Sequence, residues 1–586
     1  MRLRGELSLP SNSRNKLTLL LLAILMLGLI IQYLYGFHAF DNFYSLVFVA
    51  TILVSAPTLY LILFKPEKSK LQLVFVLACA TFFEGTYFLY AKDFSYVPQH
   101  DPLGHWQITK MIMDTGHIPF GNGVYMWSDA FAYSFYPAMH VEIATLSSVT
   151  GLPLEGMVKL FPFVFILMTL FMYLFCQSLF GSKQLAAIAS FVFAFSLSNY
   201  PETSYRFFAM IFLIAFLFAF VSFLKKKRAK FLVVALLFLF ALSVTHHLTL
   251  YITLAALVFL YFFDRIPLPF LKYEKANLRL SVIGLFVTIG ILWPIFFAGI
   301  ITAQHFQVLA QIFSFVGKPY AIYSGRGYTG FEVYFDIITI FLVIMLGFLG
   351  FLEYRKTTTS KFFMGIFIYF SLLFSVFYII SSANPSFANL ASRSWSFLLI
   401  GISPLVGYFL SKQRVSKSQK KAIAVVGFFI LLGFSLASMD TLKNYFDHRF
   451  EEDAGYAIDL RGYGERVYAS VQWYSISGNT SQLLVGDRYV VTYGRSLSLN
   501  MEDKTDLLVN TSALNGNLSE LKIEGVRYIF EDGLMSVQPE FFGLTSNETG
   551  QTVITFQTVP ASETWNTVYE NGLVDILEVP PPAPSH

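Results

Sequence analysis

"SYVPQHDPLGHWQITKMIMDTGHIPF", residues 95–120, is a polar island in a chain that is otherwise mostly apolar. It holds Asp101, three histidines, Trp106 and three prolines. Apolar runs at 71–90 and 157–180 flank it, each long enough to cross a hydrocarbon core of roughly 30 Å. The island therefore belongs to a loop at a membrane surface, and the side on which it lies fixes how the rest of the chain is threaded.

Of the 586 residues, 55% are hydrophobic, 18% aromatic and 13% charged. Soluble domains carry about 25% charged residues, so the composition predicts an integral membrane protein. The apolar stretches are continuous and do not alternate as barrel strands do, so the spans read as helices. Cys79 and Cys176 each sit inside an apolar run and read as small packing residues, without disulfide or metal spacing.

Thirteen spans are predicted, near 17–36, 43–64, 71–90, 157–180, 184–199, 206–224, 231–246, 248–263, 280–300, 332–352, 362–381, 395–411 and 422–438. The first run is too long for a signal-peptide core and lacks a small-residue cleavage site, so it reads as a retained helix. With the N-terminus cytoplasmic, the inward loops are "KPEKSK" (65–70), "GSK" (181–183), "KKKRAK" (225–230), "DRIPLPFLKYEKANLR" (264–279), "EYRKTTTSK" (353–361) and "SKQRVSKSQKK" (411–421). Each carries more Lys and Arg than acid, as the positive-inside rule requires. An odd number of spans then places the C-terminal segment outside.

That segment has its own character. Residues 440–586 hold 21 acidic and 9 basic side chains, a net of −12, and the remainder carries +16 of the overall +4. All four Asn-X-Ser/Thr sequons, at Asn479, Asn510, Asn517 and Asn547, lie there. "SQLLVGDRYVVTYGR" and "GVRYIFED" read as short strands, "YGERVYASVQWYSIS" as a helix, and "TDLLVNTSALNGNLSELKI" as strand, loop and helix. The domain division expected is 1–439, a transmembrane part with the long outer loop 91–156, and 440–586, a small extracytoplasmic α/β domain. The tail "VPPPAPSH" has the composition of a disordered end.

The outer loop of 66 residues is far longer than a connection needs, which points to function. Trp106, Tyr125, Trp127, Phe131, Tyr133, Phe135 and Tyr136 give it an aromatic content suited to the membrane–water interface. Within it, Asp101 reads as an N-cap, Pro102 as the first helical residue and Gly116 as the stop. "YPAMHVEIATLSSVTG" predicts a surface helix of about 13 residues, too short to span. His105 falls four residues after Asp101, on the face of Ile108 and Ile112, whereas Lys110 and Asp114 point the other way. A carboxylate and an imidazole on the apolar side of a helix need a polar pocket to face.

Other polar residues gather at the same predicted level: Glu202 and Arg206 in "NYPETSYR", His246 and His247 in "THH", Lys318 and Arg326 in "GKPYAIYSGRGYTG", and Arg393 in "NPSFANLASRSW". Each alone suits an interfacial anchor. Together they set cations beside a carboxylate on the side where the positive-inside rule leaves fewest, and ionisable groups at membrane depth point to function. Glycosyl transfer from a polyprenyl-phosphate sugar would use this set. The leaving phosphate is a stable anion that cations can hold, and the acceptor hydroxyl needs a general base. There is neither a P-loop nor a GxGxxG after a strand.

In order of elements the chain resembles the GT-C superfamily of polytopic glycosyltransferases, whose first long outer loop carries a catalytic acid and surface helices, followed by a Tyr-Pro segment. "HDPLGHWQITKMIMDTGHIPF" followed by "FYPAMH" matches that order, with Asp101 in the acidic position, and the Asp-x-x-x-His spacing is similar to archaeal oligosaccharyltransferases. The resemblance implies a membrane fold of about thirteen helices, an inverting transferase using a polyprenyl- or dolichyl-phosphate sugar, and Asp101 as base with His105 beside it. Glu202, Arg206, His246, His247, Lys318, Arg326, Arg393 and Tyr136 are then the expected substrate-binding residues, the two arginines Arg326 and Arg393 by their placement. Two departures matter: the Trp-Trp-Asp-Tyr-Gly motif is absent, which disfavours whole-glycan transfer to a sequon, and Pro102 replaces the acid that often follows. A divalent metal or other cofactor is therefore not expected. The implied partners are the lipid-linked donor, a glycan or lipid-linked acceptor and the bilayer, with no nucleic acid, at an archaeal-type plasma membrane. A transporter or flippase, or a polymerase, for a lipid-linked glycan is the alternative; a transporter would show repeats and paired broken spans.

Overall fold

The computed structural model describes residues 43–65, 68–91, 100–120, 133–197, 205–267, 273–274, 278–303, 331–356, 359–383, 388–412, 460–478, 481–486, 501–503, 526–532, 566–570 and 574–578. They fall into two compact units. One comprises Met1–Tyr90, Phe135–Met139 and Leu160–Lys443; the other comprises Ala91–Ser134, His140–Lys159 and Asn444–His586.

The first unit is helical. Its helices are α1 (Phe43–Phe64), α2 (Ser69–Ala91), α6 (Ile166–Phe180), α7 (Lys183–Leu197), α8 (Tyr205–Lys226), α9 (Ala229–Ser243), α10 (His247–Phe263), α11 (Leu280–Phe296), α12 (Phe331–Tyr354), α13 (Lys361–Ala383) and α14 (Ala388–Lys412). Among the described residues four stretches are long and apolar enough to cross a membrane by length and composition: Leu154–Phe180, Tyr205–Lys226, Lys361–Ile380 and Ser394–Ser411. The chain is thus a multi-pass helical membrane protein. Eleven of the thirteen predicted spans coincide with described helices, while 17–36 and 422–438 lie outside the described residues.

Burial sorts these helices. Tyr205–Lys226 is buried along most of its length, with Phe207, Phe208, Phe216 and Phe220 packed among their neighbours, whereas α13 leaves Leu372, Val376, Tyr378 and Ile379 exposed. A helix apolar all round sits in a core, and one with an exposed apolar face meets lipid. The α14 helix packs against α7, α12 and α13, and α8 against α6 and α9. Close approach at α14 depends on glycine: a Cβ at Gly347 would come within 2.9 Å of Ile402 Cγ2, and one at Gly350 would strike the Leu405 carbonyl. Small residues let helix backbones meet in a membrane, where apolar burial alone does not drive association.

The cations of the predicted inward loops also close helix ends. Gly181, at φ 71°, ends α6 and returns its N–H to the Gln177 carbonyl; the Lys225 ammonium donates to the carbonyls of Ser178 (2.8 Å) and Leu179 (2.5 Å). A cation at a helix C-terminus meets both the unpaired carbonyls and the negative end of the dipole. Lys361 is 1% exposed, and its ammonium donates to the carbonyls of Asp264 and Ile266 at 2.6 Å each. The Asp264 carboxylate in turn accepts from the Leu278 N–H at 3.2 Å. Lys361→Met strands those two carbonyls, so we expect a loss of about 2–3 kcal/mol, read as a lowered melting temperature in detergent.

The second unit holds α3 (His100–Thr115), α4 (Ala138–Thr150, its first two residues in the first unit), α5 (Leu154–Leu160, its last residue in the first unit), α15 (Leu460–Ser477) and a five-stranded sheet. The strands are β3 (Leu483–Gly486), β4 (Met501–Asp503), β5 (Val526–Asp532), β6 (Asn566–Glu570) and β7 (Val574–Glu578), in the order β4-β3-β5-β7-β6. The first pairs are parallel and the β5–β7–β6 pairs antiparallel. (β1 and β2, Tyr273–Glu274 and Thr359–Ser360, form a separate short parallel pair in the first unit.) The α15 helix packs on β7 and buries Val467, Val471 and Tyr474. Strands β3 and β5 and helix α15 fall where the sequence predicts strands and a helix, and β4, β6 and β7 are additional. Residues 505–523, the predicted strand, loop and helix, lie outside the described residues, as do the four sequon asparagines.

Candidate functional site

In the second unit, α3 has the punctuation predicted at its end and a shifted one at its start. Gly116 adopts φ +70° and donates its N–H to the Ile112 carbonyl at 2.8 Å, closing the helix. The helix begins at His100, so Asp101 is its second residue and not the flanking cap. Pro102 tolerates this, because the N–H it lacks would have no partner in the first turn. A carboxylate in that turn still sits at the positive end of the dipole. The Asp101 side chain itself lies outside the described residues.

The two faces of α3 divide as the spacing predicts. His105, Ile108 and Thr109 are fully buried, whereas Lys110 and Asp114 pair with each other on the exposed side. The aromatic residues of the loop differ from expectation: Trp106, Tyr133, Phe135 and Tyr136 are all buried within protein rather than set out as an interfacial belt. His105 Nδ1 lies 3.0 Å from His140 Nε2, and neither histidine is exposed. The Tyr133 ring stacks on His105 at 5.1 Å between centroids, and the Thr109 hydroxyl donates to the His105 carbonyl at 2.7 Å.

Burial, and next the neighbouring His105, hold the His140 imidazole well below its usual pKa. A lowered folded value means that the unfolded chain binds more protons below the ordinary histidine range. The contribution to stability is therefore fully present above about pH 6.5 and is lost as pH falls toward the lowered value. We expect amide exchange in 138–150 to quicken at pH 5 relative to pH 7.5 once the intrinsic pH dependence of exchange is removed; equal protection at both would contradict the assignment.

The first unit contains a second cluster, around the Tyr-Pro segment 135–139. Phe135 accepts a hydrogen bond from the Trp293 indole at 2.8 Å, and the Ala138 N–H donates to the Val244 carbonyl at 3.2 Å. These contacts fix the segment against α11 and the turn between α9 and α10. Tyr136, 2% exposed, then lies against His247, centroids 5.2 Å apart. His247 lies 5.0 Å from His246, and His246 meets Tyr205 edge-on at 4.4 Å. His246 is the N-cap of α10: its Nδ1 accepts from the Thr249 N–H at 3.3 Å and faces the Thr249 hydroxyl at 2.6 Å. An Nδ1 that accepts leaves the proton on Nε2, so the ring is neutral with a donor on its far edge.

Beside them the Tyr251 hydroxyl is 3.2 Å from the Thr302 hydroxyl, which donates to the Ala298 carbonyl. The Tyr136 hydroxyl adjoins both, and burial together with Tyr251 pushes its pKa up, so it stays protonated. Arg206, in the first turn of α8, lays its guanidinium over Phe207 at 4.7 Å.

The structure thus brings Tyr136, His246 and His247 together, with Arg206 next in chain to the Tyr205 that touches His246. Glu202, Lys318 and Arg326 lie outside the described residues, and Arg393 is placed only as a helical residue of α14. Sequence reasoning missed His140, Tyr205, Tyr251, Thr302 and Trp293. His140 had a legible signal: with Ile143, Ala144 and Ser147 it forms the buried stripe of α4. Among the described residues no group of three His, Cys, Asp or Glu could hold a metal ion.

No family model matches the chain, and no curated protein matches it. Among solved structures, ArnT from Cupriavidus metallidurans in the apo state is similar over 86% of this chain and 97% of its own, with 12% identity and a TM-score of 0.48. The same protein bound to undecaprenyl phosphate gives 86%, 98%, 11% and 0.49.

Proposed function

We propose that the chain is a membrane glycosyltransferase of GT-C type that moves a sugar from a polyprenyl- or dolichyl-phosphate donor to a glycan or lipid-linked acceptor on the extracytoplasmic face. The observation that carries this reading is the buried polar core of the loop: two imidazoles at zero exposure, 3.0 Å apart, His140 on α4 and His105 on α3, the helix whose second residue is Asp101. A helix that merely rested on the bilayer would turn apolar side chains to that side.

In this reading an acceptor hydroxyl attacks C1 of the donor sugar, the bond from C1 to the phosphate oxygen breaks, and the hydroxyl proton passes to Asp101. One displacement inverts the anomeric carbon. His105 holds position beside the carboxylate. Arg206, Lys318, Arg326 and Arg393 stabilise the departing lipid phosphate, which is already anionic and needs no protonation. His246 offers an N–H, and Tyr136, His247 and Glu202 bind sugar hydroxyls or phosphate oxygens. The C-terminal domain faces outward in this arrangement, with the N-terminus cytoplasmic.

The test is product configuration. Purified protein in liposomes would be given a β-linked polyprenyl-phosphate hexose or the matching nucleotide sugar, and the product linkage read by NMR. The proposal expects an α-linked product from the lipid donor and none from the nucleotide. A β-linked product, or use of the nucleotide sugar alone, would overturn it.

A further inference from the structure

The densest run of cations in the chain is the turn between α8 and α9, "KKKRAK" at 225–230. Lys225 is engaged by the carbonyls at the end of α6. Lys226, Lys227, Arg228 and Lys230 are all exposed, and among the described residues none of the four has an acidic partner. Lys226 and Lys230, on opposite sides of the turn, lie over the same Phe231 ring, their ammoniums 4.8 and 5.4 Å from its centroid. One ring thus gathers charge from both helices. Like charges this close repel unless a counter-charge stands among them.

The positive-inside rule accounts for a basic loop at this end of the bundle, but cations anywhere in the loop would satisfy it. The backbone supplies a second observation. Among the described residues four helix ends are closed by a left-handed residue whose N–H returns to the carbonyl four positions back, at Gly116, Gly151, Gly181 and Lys227. The three glycines hold φ between +70° and +72° with no Cβ to clash, whereas Lys227 holds φ +53° with one. Glycine is the residue this position favours. Lysine therefore stands there at a cost to stability, and what it adds is charge. Lys226 is the last residue of a stretch long and apolar enough to cross a membrane, which sets the turn at the level of the lipid phosphates.

We propose that Lys226, Lys227, Arg228 and Lys230 form a binding site for the phosphates of anionic lipids in the leaflet at this end of the bundle. The lysines supply compact charges, and the Arg228 guanidinium can hold two phosphate oxygens at once. Each cation near such a surface is worth about a fivefold gain in affinity. The site stands apart from the glycosyl transfer proposed above.

The test melts the full-length protein in a neutral detergent while phosphatidylglycerol or phosphatidylcholine, dissolved in the same detergent, is titrated in. Lipid that binds the folded state raises the melting temperature. Phosphatidylglycerol should raise it saturably and phosphatidylcholine should not, and the rise should shrink at about 0.5 M salt. Lys227→Gly, which gives the turn the residue it favours, should melt at least as high as the wild type without lipid. It should nevertheless need about fivefold more phosphatidylglycerol for half the full rise. Combining Lys226→Gln, Lys227→Gln, Arg228→Gln and Lys230→Gln should remove the saturable response. Lys356→Gln, on another predicted inward loop where the lysine pairs with Glu353, should keep it. The same half-rise concentration for Lys227→Gly and the wild type would overturn the site. So would an equal response to phosphatidylcholine or to inorganic phosphate alone, or an equal loss in Lys356→Gln. Should the combined variant fail to fold, Lys227→Gly still decides.

Discussion

Asp101→Asn is expected to lower transfer from a polyprenyl-phosphate sugar by about a thousandfold, the middle of the range for a lost general base. Donor binding and the melting temperature should stay close to the wild type. Asparagine is nearly isosteric, and in the first turn of α3 it can still accept hydrogen bonds from backbone N–H groups. What it cannot do is take the acceptor's proton. The measurement is a single-turnover rate with labelled donor, beside a donor-binding isotherm. Rates within about threefold of wild type would reduce Asp101 to a residue of helix-terminal electrostatics and direct attention to Glu202. A fall in binding and stability together would indicate a structural role.

The second large effect belongs to the membrane helices. Gly350→Leu should abolish recovery of monodisperse protein, because even a Cβ at this position would strike the Leu405 carbonyl on α14. Backbone cannot step aside as a side chain can, so separating α12 from α14 is the only relief, at a cost of at least about 3 kcal/mol. Gly347→Ala meets only the Ile402 side chain, which can change rotamer, and should cost much less. Size-exclusion profiles and melting curves in one detergent would rank them as wild type, Gly347→Ala, Gly350→Ala and Gly350→Leu. Equal stability of Gly350→Leu and Gly347→Ala would show that the two helices do not pack as described.

The legible and illegible parts of this molecule separate by period and range. Spans were readable because about twenty apolar residues in a row have few other uses, and α8 and α13 begin within one residue of their predicted starts. The sidedness of His105 was readable because a 100° turn per residue places it with Ile108 and opposite Lys110. The partner of His105 was not readable, since His140 lies 35 positions away and nothing local joins the two. The same holds for Trp293 and Phe135, 158 residues apart. The aromatic content of the outer loop was read as an interfacial belt, because composition alone cannot tell a ring that faces headgroups from one that encloses a buried imidazole. Strands β4, β6 and β7 were missed as short segments whose identity comes from pairing, β4 with β3, and β6 and β7 with each other and with β5.

The most direct measurement follows the label from carrier to acceptor. Purified wild-type protein in proteoliposomes would receive polyprenyl-phosphate hexose, labelled in the sugar, and a mixture of lipid-linked glycans. Glycosyl transfer predicts labelled acceptor glycan and an equal amount of free polyprenyl phosphate. Intact donor moved across the bilayer, with neither product formed, would contradict it and make the protein a carrier of lipid-linked sugar.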